Sequence, residues 1–190
     1  MTRDIHPLTP DRFADFEEVL GRGGRGGCWC MYWIHPDAKS VTAGAKGGSK
    51  AANKGLFRAL VAAGPPPGLI GYDAGRPVAW ARVTPRATLP GLKRARYFKV
   101  SGADAGVWSI SCFTVKTRHR GQGWTGALID AAIPFARAQG AKTLEAYAND
   151  PQGPITPAAA YLGLASTFAR LGFSETNRHW PGKVLMRRTL

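Results

Sequence analysis

Acidic side chains are scarce in this chain of 190 residues: 12 Asp and Glu stand against 26 Lys and Arg, a formal net charge of +14. The pI lies near 10.4. Such a deficit points to a polyanionic partner, whether nucleic acid, phospholipid or a phosphate-rich cofactor. Cysteine is scarcer still. The three thiols, Cys28, Cys30 and Cys112, leave one over in any pairing and exclude a disulfide framework. Cys28-Trp29-Cys30 lacks the second cysteine pair that zinc sites usually draw on, so no metal is expected. Long apolar runs are missing as well: nothing approaches the ~20 residues of a membrane span. The start, MTRDIHPLTPDRF, carries Asp4 and Asp11 and no apolar stretch of a secretory signal. A reduced, cytoplasmic setting without a membrane partner is the expectation.

What is present suffices for one domain. Hydrophobic residues make up 44% and include six Trp, which excludes a disordered chain. The length suits a single unit over 1–190, with a helical part over 1–67 and a sheet part over 68–190. No internal repeat is visible. The basic charge is local: residues 51–100 hold nine bases with Asp73 as the lone acid. Arg82, Arg86, Lys93, Arg94, Arg96 and Lys99 lie in or beside the connection 84–99. A solubilising loop and an anion-collecting surface are equal readings of it.

Periodicity orders the elements. Phe13, Phe16, Val19 and Leu20 predict a helix over 10–20, ended by the Gly/Arg-rich stretch 21–27. The aromatic run Cys28–Ile34 reads as a buried strand or a pocket wall, and 36–50 as a flexible stretch. Leu56, Phe57, Leu60 and Val61 predict a helix over 51–63, which Gly64 and three prolines stop. Two apolar runs around Asp73-Ala74-Gly75-Arg76 predict a hairpin. A strand over 107–115 leads through glycines 121, 123 and 126 into a helix ending at Gln139. A strand over 143–150, a Pro-rich loop 151–157, a helix over 165–171 and strands at 173–180 and 184–190 complete the order. This is an α/β (α+β) arrangement with an antiparallel first half and a crossover helix in the second.

The segment richest in chemistry runs from Val115 to Ile129. A strand ends, Gly121 and Gly123 form a turn, and a helix begins, so backbone amides converge with the unsatisfied helix start into an anion site. Arg118 and Arg120 add fork-shaped charge. The segment is neither a P-loop nor a dinucleotide-binding fingerprint.

Residues 115–140 resemble the phosphate-binding motif of the GNAT acyl-CoA N-acyltransferases, Arg/Gln-x-x-Gly-x-Gly/Ala, with Arg120 and Gly123 matching and Thr125 in the last small position. Phe168-Ala-Arg-Leu-Gly172-Phe173 is similar to the family's Tyr-x-x-x-Gly-Phe ending. The element order fits over nearly the whole chain. The resemblance implies a mixed central sheet with a splayed strand pair, flanking helices and acetyl-CoA in the cleft. Phe113, Thr114 and Val115 would face the pantetheine arm, chiefly through the amides of Phe113 and Val115. Arg118, Arg120, Gly121, Gln122, Gly123, Trp124 and Thr125 would hold the pyrophosphate. The implied reaction is direct transfer of an acetyl group to an amine, with a strand N–H supporting the oxyanion. Trp29, Tyr32 and Trp33 fall where the acceptor wall would lie, or in plain core.

Two departures follow from that frame. Phe168 replaces the Tyr that would protonate the leaving thiolate, and Tyr161, Tyr147 or Ser166 stand as substitutes. Glu145 and Asp150 are the candidate bases, while His119 reads as a phosphate or solvent contact. The expected acceptor is a small-molecule amine. The alternatives are a macromolecular amine (protein or aminoacyl-tRNA) and a non-catalytic acyl-CoA or nucleic-acid binding module. A homodimer is compatible with each.

Overall fold

The computed structural model describes residues 3–21, 24–35, 49–98, 100–156 and 159–190. Most of the stretch read as flexible (36–48), together with Lys99 and Pro157, lies outside the described residues.

The hairpin signal is realised by β2 (Gly68–Asp73) and β3 (Arg76–Pro85). Ala74 and Gly75 both take positive φ, as a two-residue hairpin turn demands. A strand not anticipated from the sequence, β1 (Arg3–Pro7), adds to the free edge of β2. Its residues are exposed or half-buried, so it carries no apolar alternation to announce it. β4 (Val107–Val115) pairs antiparallel with β3 and parallel with β5 (Thr143–Asn149). The C-terminal strands β6 (Ser174–Trp180) and β7 (Lys183–Thr189) close the sheet in the order β1-β2-β3-β4-β5-β7-β6. The fold is therefore the mixed α+β layer expected, antiparallel in its first half.

Helices cover both faces. On one, α5 (Trp124–Ala138) and α6 (Ala165–Arg170) bury Leu128, Ile129, Ala132 and Phe168 against Leu69, Ala79, Ala81 and Phe113. On the other, α1 (Phe13–Leu20) and α3 (Ser49–Ala63) pack Phe16, Val19, Phe57 and Val61 onto Ile70, Tyr72 and Trp80. The two sets alternate along β2 and β3, since successive strand residues face opposite sides. The one-turn α2 (Gly24–Gly27) and the short α4 (Pro90–Arg94) complete the second face. None of the described helices is long and apolar enough to cross a membrane.

One irregularity creates the site. β4 and β5 pair only from Val107↔Thr143 to Ile110↔Ala146. A bulge in the β3–β4 ladder falls next to Ile110, where the register passes from Arg82↔Cys112 to Val83↔Ile110. Beyond it β5 bridges to Leu164 instead, and the Asn149 N–H donates to the Gly163 carbonyl at 2.9 Å. Gly163 has φ +78, and a Cβ there would come within 3.0 Å of the Phe168 ring. A side chain at this position would push apart the wedge that the 3-10 turn Ala159–Leu162 drives between the strands.

Candidate functional site

The outer half of β4 is thus an edge facing a gap. The Lys116 N–H donates to the Val78 carbonyl at 2.9 Å, which sets the alternation along the strand. Residues 112 and 114 face β3, and the N–H groups of Phe113 and Val115 turn towards the gap. Past the strand, a 3-10 turn (Thr117–His119) and two glycines lead into α5. Gly123 caps that helix at φ +79, a conformation that glycine adopts without cost. The first amides of α5 have no intrahelical partner and open into a groove of about 410 Å³. Two guanidinium groups and an imidazole line it. Arg120 lines the groove and is braced by its Nε donating to the Val115 carbonyl at 3.1 Å. Arg170 reaches in from α6, and His119 presents a buried Nδ1 without a partner among the described residues. Amides, helix dipole and guanidinium converge on one spot, an arrangement that takes phosphate oxygens.

Most of the residues expected at this turn are here: Phe113, Val115, Arg120, Gly121, Gly123, Trp124 and Thr125 all line the groove. Gln122 and Arg118 brace it instead, the Gln122 side-chain amide donating to the Arg118 carbonyl at 2.9 Å. The sequence reading missed Thr167 and Arg170. Their three-residue spacing on one helix face was the available signal. It also missed Arg3, which donates to the Gln122 carbonyl and lies 5.3 Å over the Trp124 ring. The unannounced β1 therefore clamps the turn from outside.

A second, smaller cavity of about 290 Å³ opens on the α1 side of the gap. Leu20, Tyr32 and Trp33 form its wall with Cys28, Cys30 and Cys112. The run Cys28–Ile34 is a chain of turns rather than a strand, with Trp29 and Cys30 at φ +47 and +57. Those reversals aim Tyr32 and Trp33 at the cavity, and the Trp33 indole N–H is fixed by the Ser111 carbonyl at 3.2 Å. Trp29 turns the other way, into the core beside Phe16. Thr114 sends its side chain into this cavity, 4% exposed, with its hydroxyl oxygen unpartnered among the described residues.

Tyr161 lines both hollows. Burial pushes its phenol well above the usual range, so it stays protonated. Phe168, by contrast, is wholly buried against Phe113 and Phe173. The other acid–base candidates lie elsewhere. Glu145 is fully buried, and its carboxylate accepts from Arg86 at 3.0 Å, Arg187 at 2.6 Å and the Tyr147 hydroxyl at 2.9 Å. It braces β5 and the loop after β3 rather than facing either hollow. Ser109 joins the same network through the Tyr147 hydroxyl at 2.9 Å, and burial raises the Tyr147 phenol. Asp150 pairs with Arg178 at 2.6 Å on the β6–β7 side, and Ser166 is exposed. Among the described residues no cluster of His, Cys, Asp and Glu could hold a metal ion.

A model of the acetyltransferase (GNAT) family matches residues 31–154. No curated protein matches the sequence. Solved structures share the fold at low identity. One is yncA, a putative acetyltransferase from Salmonella typhimurium with its cofactor acetyl-CoA, at TM-score 0.59 and 15% identity over 100% of this chain and 95% of that one. An N-acetyltransferase from Staphylococcus aureus Mu50 superposes at 0.58 with 12% identity, covering 100% and 99%. The PaiA N-acetyltransferase from Thermoplasma acidophilum, in complex with coenzyme A, superposes at 0.56 with 11% identity over the whole of both chains.

Proposed function

This chain belongs to the acetyltransferase (GNAT) family, and from that premise we propose that it moves an acetyl group from acetyl-CoA to the primary amine of a small molecule. One observation carries the reading: Tyr161 stands at the junction of a phosphate-compatible groove and an apolar cavity. The groove fits coenzyme A by its chemistry, since an orphaned imidazole nitrogen, a guanidinium and the α5 amides meet where glycines keep the backbone bare. Bound there, acetyl-CoA supplies an activated acyl thioester. Arg120, His119 and the start of α5 hold the phosphates. The turned-out N–H groups of Phe113 and Val115 offer donors to the pantetheine amides and the acyl carbonyl oxygen. Tyr161 holds a proton at its phenol oxygen, facing both hollows, where a departing thiolate can take it. The cavity of Tyr32, Trp33 and Cys112 positions the amine on the far side of the gap and excludes water.

A free-thiol release screen over small amines, peptides and aminoacyl-tRNA tests this. Coenzyme A release with small amines is the expected result. Release with aminoacyl-tRNA or peptides alone would replace the acceptor class. A melting temperature raised by acetyl-CoA with no release in any arm would reduce the protein to a binding module.

A further inference from the structure

The cavity on the α1 side says more about the acceptor. Resting on the transfer reading above, we infer that the acceptor is a compact, flat, weakly basic amine of arylamine type, which enters as the neutral free base and is anchored through its nitrogen by the Thr114 hydroxyl.

Size and lining set the first limits. A volume of about 290 Å³ lies at the small end of ligand pockets and admits one ring with short substituents. Among the described residues no acidic side chain lines it, so none of them neutralises an ammonium or a distant second cation. The titratable groups facing the cavity are Cys28, Cys30 and Tyr32 from the turn after α2, Cys112 from β4 and Tyr161 from the 3-10 turn. Leu20 closes the α1 side. Burial pushes the Cys28 thiol up, as it does the Tyr161 phenol, so both are neutral at the entry of an amine.

Behind this lining sits a positive charge. Arg82 is 2% exposed, is the cross-strand partner of Cys112, and donates to the Cys30 carbonyl at 2.7 Å. Its Nε has no partner, and no carboxylate pairs with it among the described residues. Its electrostatic neighbours are the three thiols that line the cavity. A guanidinium does not deprotonate, so a second cation beside it in an apolar hollow is disfavoured twice, by desolvation and by repulsion. The same surroundings leave a neutral amine untouched. Glu145 and Asp150 are committed elsewhere, and an amine that arrives neutral needs no base before attack; the N–H proton it sheds as the amide forms passes to the Tyr161 oxygen, replacing the one given to the departing thiolate.

Thr114 supplies a directional contact. Its buried hydroxyl oxygen, unpartnered among the described residues, sits in the cavity wall on β4, two residues from Cys112 and next to Phe113, whose N–H faces the gap. A buried acceptor without a donor costs free energy until a ligand N–H meets it. An amine bound there is held by one N–H, with its lone pair free to point towards the gap.

Para-toluidine and benzylamine, isomers of equal size, separate the possibilities, because the first is largely neutral at neutral pH and the second largely protonated. We expect kcat/KM for para-toluidine to be flat from about pH 6 to about pH 9. For benzylamine it should climb about tenfold per pH unit towards the amine's own pKa. Calorimetric titration of each amine into the full chain with coenzyme A present should show the same dependence in Kd. Thr114→Val should weaken para-toluidine about fivefold in both KM and Kd, Thr114→Ser should restore it, and the acetyl-CoA melting shift should hold throughout. A rising limb at one shared pH for both amines would establish a base in the protein and overturn the inference while leaving amine transfer intact. Tighter binding of charged amines, or an unaltered Kd in Thr114→Val, would overturn it equally. Loss of the acetyl-CoA shift in the unmodified chain would instead bring down the transfer reading itself.

Discussion

The two hollows that meet at Tyr161 are built by opposite means. The groove is backbone: amides of a turn and a helix start, bared by glycine and fed by charge from Arg120 and Arg170. The cavity is side chain: rings, thiols and hydroxyls, contributed by α1, a turn, β4 and a 3-10 segment far apart in sequence. A phosphate site of the first kind tolerates much variation around a fixed local geometry. A site of the second kind takes its shape from its particular residues, so on the proposed transfer acceptor choice is expected to rest there. The pair also differs in how acid is used. Among the described residues neither hollow is lined by a carboxylate, whereas Glu145 lies buried on β5 in a separate network.

That last contrast is broken most forcefully at Glu145. Glu145→Gln leaves the buried Arg86 guanidinium without its full counter-charge, and removing one partner of a buried pair costs about 3–5 kcal/mol. Denaturant unfolding should show this loss, while the fraction that remains folded keeps its kcat. A catalytic base would instead lose rate at constant stability. Next in size, Gly123→Asp places a carboxylate at the start of α5, where phosphate oxygens are to sit. At cofactor concentrations a hundredfold above Kd, acetyl-CoA should stabilise the parent by about 2.7 kcal/mol, and that shift should vanish in the variant. Binding of an amine to the cavity should survive, which keeps the two hollows distinct.

Tyr161→Phe tests their junction. We expect kcat to fall about tenfold, below the usual 10²–10⁴ for general acids, because a thiol of pKa near 8.5 departs tolerably unaided. Since burial raises the Tyr161 phenol, its proton is retained as pH rises through the ordinary phenol range. The parent should therefore show no falling limb in kcat at about pH 9–10. Smallest of all is the basic connection. Lys93 already pairs with Asp104, and Arg94 donates to the His35 carbonyl. Replacing Lys93, Arg94 and Arg96 together by Gln should leave the KM of a small amine within about twofold. A large, salt-dependent rise would turn the comparison towards an anionic macromolecule.

Legibility followed the same divide. The groove could be read in advance because its determinants are contiguous: strand end, two glycines, helix start within about a dozen residues. The helices and hairpin were legible from apolar spacing and from the Asp73–Arg76 turn. β1 was not, because Arg3-Asp4-Ile5-His6-Pro7 borders solvent and has no buried face to pattern. The aromatic run at 28–34 announced burial but not conformation, and only the positive φ at Trp29 and Cys30 decides that Trp33 lines a cavity while Trp29 enters the core. Glu145 looked like a base because strand position alone does not reveal two guanidinium groups arriving from β7 and from the turn after β3. Thr114 stood out only for its backbone, and its unpartnered hydroxyl became visible once the cavity closed around it.

The central claim, that a cofactor in the groove serves an amine in the separate cavity, is tested most directly by Cys112→Phe. The added ring fills the apolar cavity from β4 and leaves the phosphate turn alone. Two readouts are taken on one sample: the acetyl-CoA melting shift and amine-dependent release of coenzyme A. We expect an unchanged shift with release lost. Release at the parent rate would show that the cavity does not hold the acceptor, and loss of the shift in a protein of parental stability would show that the two hollows are one site.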